Sequence, residues 1–154
     1  MKKVIYLQQF LNQLKGYNLT LFPCSEEEIS NVSNGKVLPV AFIEFLENLG
    51  KGTEGRAKFM KGEDCYYERL LRLTDGAREI LLENDSSLKL DENVFVFWMS
   101  QGCMFCFFEL DKGDNPPVYL YSEAGEDRFI KISEKYTDFL MDYLNNESCL
   151  FDEI

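Results

Sequence analysis

Val94-Phe95-Val96-Phe97-Trp98-Met99, then the turn Ser100-Gln101-Gly102, then Met104-Phe105-Cys106-Phe107-Phe108-Glu109-Leu110, decides the fold. Six consecutive apolar residues, β-branched or aromatic in the main, read as a strand buried on both faces, which places it in mid-sheet. The turn and the second apolar run make it half of a hairpin. Asp111–Asn115 is the next turn, Val118–Tyr121 a third strand, Glu123–Asp127 another turn and Arg128–Ile132 a fourth strand. Pro116 and Pro117 lack N–H donors, so the third strand starts after them or lies at an edge. In such a meander alternate turns share an end. The 100–103 and 123–127 turns are therefore expected side by side, with 111–115 opposite.

Working outward, Ser133 is expected to cap a closing helix whose buried face carries Tyr136, Phe139, Leu140, Tyr143 and Leu144. Upstream, Thr74 or Asp75 is expected to cap a helix running to about Asn84. Tyr66–Leu73, rich in Tyr and Leu, reads as a strand. Residues 50–62 read as a loop with a short strand near Arg56–Met60. Pro39 opens a helix whose stripe is Phe42, Phe45, Leu46 and Leu49, ended by Gly50. Ser25-Glu26-Glu27-Glu28 is a capping box with Cys24 and Ile29 at the staple positions, and Asn34-Gly35 closes that helix. Val4, Leu7, Leu11 and Leu14 recur at helical spacing and Gly16 stops them, giving a first helix over residues 3–15. The pattern is α+β: an antiparallel β-sheet meander with helices packed mainly on one side. It fits one domain over residues 1–154, with the helix at 3–15 as an N-terminal extension.

Composition narrows the function. The chain has 154 residues, 45% of them apolar and 14% aromatic, enough for a core without disulfides or metal. Its net charge is −11. Residues 1–25 hold three lysines and no acid, while residues 123–154 hold nine acids and three bases. Such a surface repels nucleic acid and anionic membranes and attracts basic partners. Five cysteines, no signal peptide and no membrane-length apolar run point to the reducing cytoplasm.

The chemistry of catalysis is thinly represented. There is no histidine, hence no Ser–His or Cys–His pair, and no nucleotide-binding glycine motif. Cys103 and Cys106 have C-x-x-C spacing, but residues three apart on a strand face opposite ways, so core packing is expected of them and neither a metal nor a cofactor. Trp98, Tyr66, Tyr67 and Tyr119 read as core. Two acidic groups stand out. Glu134, Asp138 and Asp142 are four apart on the closing helix and form one stripe, where like charges repel by a few tenths of a kcal/mol per pair. Glu123, Glu126 and Asp127 sit at a meander turn, and loop tips on a rigid sheet are common binding sites. These six are the candidate partner-binding residues, beside the plain alternative of a solvated acidic face.

Leu38-Pro39-x-x-Phe42-x-x-Phe45-Leu46-x-x-x-Gly50 resembles the opening helix of SUKH-superfamily domains, the group named for yeast cell-wall-assembly regulators. Val94–Met99 with Met104–Leu110 looks like their central hairpin. Asn115-Pro116-Pro117-Val118-Tyr119 is similar to their Pro-Val-Tyr strand, and Ser133–Leu144 resembles their final helix, with Tyr136 and Phe139 as its aromatic pair. The resemblance covers about residues 25–145. It implies helices packed on an antiparallel sheet, and an immunity protein that neutralises a toxin of a polymorphic or contact-dependent system, often a nuclease, by binding it without catalysis or cofactor. A regulatory scaffold akin to the eukaryotic members is the alternative, and a carboxylate-dependent hydrolase the third reading.

Overall fold

The computed structural model describes residues 3–55, 59, 60 and 62–146. In chain order the elements are α1 Gln8–Lys15, β1 Thr20–Phe22, α2 Glu26–Ser33, α3 Val40–Leu49, β2 Gly52–Glu54, α4 Tyr67–Leu70, α5 Leu73–Glu83, β3 Val94–Ser100, β4 Met104–Glu109, β5 Val118–Ser122, β6 Ile130–Ser133 and α6 Tyr136–Leu144. The sheet of four strands is the antiparallel meander β3-β4-β5-β6, so the α+β architecture is as the sequence predicts. A second, two-stranded sheet pairs β1 with β2.

Strand β3 is buried on both faces, yet it lies at the edge of the meander and not, as its apolar run suggested, in the middle. Its faces are covered from two sides. A register shift between Val96 and Trp98 turns Phe97 and Trp98, adjacent in sequence, toward the same helix, α6. Phe97 meets Tyr136 and Phe139 at ring-centroid distances of 5.2 Å, and Trp98 meets Phe139 and Tyr143 at 6.5 and 6.3 Å. Phe42 of α3 stands at the centre, 5.3 Å from both Phe95 and Phe108 and 5.7 Å from Tyr136. The other face carries Met99, Phe105 and Tyr121, and α5 packs there. Gly76 of α5 lies close to Met99, and Asn84 Nδ2 donates to Tyr121 Oη at 3.4 Å. The outer end of β3 is closed by an antiparallel bridge from Asp64 to Met99.

One helix start is as expected, and others differ where a group distant in sequence takes the hydrogen bond. The capping box of α2 forms as read: Ser25 Oγ accepts from Glu28 N at 3.1 Å, Ser25 N donates to Glu28 Oε1 at 2.8 Å, and Asn34 ends the helix in the left-handed region. Gly50 ends α3 where there is no room for a side chain; a Cβ would lie 2.5 Å from Cys24 Sγ and 2.7 Å from Leu46 O. The Tyr66–Leu73 segment is helical and not a strand, because its buried residues Leu70 and Leu73 recur at helical spacing. Arg72, and neither Thr74 nor Asp75, sits at the α5 N-cap; Thr74 Oγ1 accepts instead from Val96 N at 3.4 Å. Ser133 belongs to β6, opposite Val118, and Lys135 is the α6 N-cap. The amide of Thr137 is satisfied from the 111–115 turn instead, donating to Asn115 Oδ1 at 3.0 Å. Strand β2 forms at Gly52–Glu54, within the segment read as a loop; the short strand expected near Arg56–Met60 falls largely outside the described residues.

Helix α1 starts at Gln8, not at residue 3, because a carboxylate from elsewhere takes the amides before it. Glu44 of α3 is 3% exposed. Its Oε1 accepts from Tyr6 N and Leu7 N at 2.8 and 3.0 Å, and its Oε2 from Ile5 N at 3.1 Å. A buried carboxylate needs such partners, since desolvation without them is costly. The clamp seats Leu7, Phe10, Leu11 and Leu14 in the core, each side chain contributing at most about 1.5–3 kcal/mol through burial.

Candidate partner-binding surface

The meander brings the two expected turns together: Glu123 N donates to Cys103 O at 2.9 Å. Helix α6 then runs along β3 toward that same end, as its ring contacts show, with Tyr136 beside Phe108 and Tyr143 beside Trp98. Its C-terminal half, with Asp142, thus returns toward the end that bears the 123–127 turn. Asp138 and Asp142 are exposed on α6. Glu134 precedes the helix, so the acidic stripe on α6 is two residues long, not three.

The six candidate acids divide by what the fold already asks of them. Asp127 accepts from Ser86 Oγ, Ser87 N and Ser87 Oγ, which tie the 86–87 loop to the β5–β6 turn. Those hydrogen bonds, led by Ser86, hold its carboxyl below the ordinary aspartate range. Glu126 pairs with Arg128 at 2.9 Å and Glu134 with Lys131 at 3.1 Å. Both pairs are exposed, so each contributes little to stability. Glu123, Asp138 and Asp142 have no side-chain hydrogen bond or ion pair among the described residues. Of the six, these are the three the fold leaves unspent.

Some other acids are spent elsewhere. Glu28, a capping residue, also meets Lys51 at 3.1 Å, and its carboxyl is lowered chiefly by the Ser25 amide. Asp111 accepts from Asn93 Nδ2 at 2.7 Å and is lowered by it. Glu44, the most deeply used of all, was not legible as such. Its only signal is position: a Glu inside Val40-Ala41-Phe42-Ile43-Glu44-Phe45-Leu46, a helix apolar nearly all round.

Cys106 is buried in β4, and burial pushes its thiol and that of Cys65 far up; Cys24 is pushed up to about 11 by the same cause. Cys103 lies in the turn with its Sγ toward Ser100 O. Cys149 is outside the described residues. Among the described residues no group of three acidic, cysteine or histidine side chains is placed to hold a metal ion, and no helix is long and apolar enough to cross a membrane.

With the meander, the buried aromatic face and the closing helix established, comparison with known families gives a match. Residues 26–140 match the SUKH_6 model, described as SMI1-KNR4 cell-wall, and the chain belongs to that family. The matched span runs from α2 into α6 and leaves α1 and β1 outside it. No curated protein matches the chain.

Proposed function

We propose that the chain is an immunity protein that binds and neutralises a cognate toxin domain, a nuclease of a polymorphic or contact-dependent system, without catalysis or cofactor. Membership of the SUKH_6 family is consistent with this role. The observation that carries the proposal is the set of unspent carboxylates, Glu123, Asp138 and Asp142, on a rigid sheet end and the helix returning to it, in a chain of net charge −11. A nuclease must hold a polyanion, so its active site is basic, and an acidic protein surface complements it. The complex forms in the cytoplasm, where the cysteines stay reduced.

The test is co-expression with nuclease toxin domains of such systems, scoring survival and co-purification. Rescue, with a complex that weakens as salt rises, is the expected result. The family's description as SMI1-KNR4 cell-wall favours a second reading, a non-catalytic regulatory scaffold. That reading would prevail if no toxicity were rescued while a cellular partner was retained. Turnover of a small molecule by the purified chain would overturn both in favour of a carboxylate-dependent hydrolase.

A further inference from the structure

Behind α5, facing away from the closing helix, a pocket of about 230 Å³ lies between the helix and the loop that follows it. Four leucines line it: Leu81, Leu82, Leu88 and Leu90. Its other walls are Ser86 and two cations, Arg78 and Lys89. No acid lines it, in a chain with 27 acidic residues and 16 basic ones.

The pocket is preformed, because its loop is fastened at every step. Ser86 N donates to Leu81 O at 2.9 Å, and Leu88 N to Ser86 Oγ at 3.0 Å. Ser86 and Ser87 are held by Asp127 from the far side. Arg78 Nε and Nη2 donate to Leu90 O at 3.4 and 3.2 Å, which fixes the guanidinium at the pocket wall. Its Nη1 meets the exposed Asp75 at 3.6 Å, outside the pocket. Lys89 has no ion pair among the described residues. Leu82 is 70% exposed at the mouth, an apolar side chain that the fold itself does not cover.

We propose that this pocket binds a small anionic amphiphile, a carboxylate on a short hydrocarbon chain. The leucines take the chain, and Arg78 and Lys89 take the carboxylate. The volume is under the roughly 300 Å³ at which pockets for drug-sized ligands begin, which limits the chain to a short one. The two charged side chains of the lining are both cations, so charge favours an anion over a cation inside the pocket. The site is independent of the toxin-binding reading and survives its failure.

The test is titration of the full chain with octanoate, octylamine and octanol, followed by amide NMR shifts. Saturable octanoate binding is expected, with a Kd on the order of 0.1–1 mM, weaker octanol and octylamine, and shifts confined to residues 78–90. Leu82→Asp, at an exposed position that does not threaten folding, should weaken octanoate roughly tenfold or more. Lys89→Glu should weaken octanoate while improving octylamine, a reversal that a mere loss of structure would not produce. The proposal is overturned by shifts elsewhere, by no saturation near about 5 mM, by octylamine binding as tightly as octanoate, or by indifference to Leu82→Asp.

Discussion

Two carboxylate-bearing regions of this protein look alike in sequence and are opposites in the structure. At the N-terminal clamp, Glu44 is buried and its two oxygens accept three backbone amides. At the end of the meander and on α6, Glu123, Asp138 and Asp142 stand in solvent with nothing to hold. The first carboxylate is part of the fold, because withdrawing it would orphan three donors around an apolar core. The other three add negative charge at exposed positions and make no side-chain hydrogen bond or ion pair among the described residues. An excess of acids therefore says little until each has been asked what it already binds.

The largest effect expected from this contrast is at the clamp. Glu44→Ala should cost about 2–5 kcal/mol, because it leaves three backbone amides without their acceptor at about 1–3 kcal/mol for each one that is buried, read as a fall in the urea midpoint. Glu44→Gln, which keeps an acceptor, should cost less. A loss under about 1 kcal/mol for Glu44→Ala would mean the N-terminal segment is not held by this group.

Next comes the solvent-facing set. Replacing Glu123, Asp138 and Asp142 together with Lys should slow association with a basic toxin domain about tenfold or more, with little change in dissociation. Melting temperature should stay level or rise slightly. Unchanged association kinetics would remove this surface from the proposed function and leave the fold untouched.

A middle case sharpens the contrast. Ser25→Ala should cost about 1 kcal/mol by opening the capping box, with no effect on partner binding; a binding defect there would blur the division between spent and unspent groups.

The smallest effect expected is a pH dependence. Asp127, Asp111 and Glu28 all have carboxyls held below their ordinary range in the folded protein. Their stabilisation is complete above the unfolded carboxylate range, about pH 4, and is lost as pH falls below it through the lower folded values. Asp127→Asn should flatten that acid limb, and hydrogen exchange should quicken in the 84–90 loop. Equal acid sensitivity in wild type and variant would show that the Ser86–Ser87 clasp contributes nothing.

The hairpin, the meander, the capping box and the aromatic face of the last helix were all legible in the sequence, because each is written in local periodicity or a short cap motif. The errors lie where a distant partner changed a local choice. Thr74 looked like a cap, but its hydroxyl serves β3. Ser133 looked like a cap, but its strand continues through it while Asn115 supplies the missing acceptor. Val94–Met99 looked central because it is apolar on both faces; helices cover both faces of a strand that has a sheet neighbour on one edge, β4. Of the six acids picked as a binding surface, three proved already engaged, and nothing in their spacing distinguished them.

By itself the sequence determined the α+β class, the order of the four meander strands, the excess of negative charge and the absence of histidine chemistry, since these follow from composition and from patterns a few residues long. Only the tertiary structure decided which carboxylates are consumed, which strand forms the sheet edge, and that four leucines and two cations meet behind α5. Those outcomes depend on hydrogen bonds and contacts between residues tens of positions apart, and no local pattern encodes which distant group will arrive.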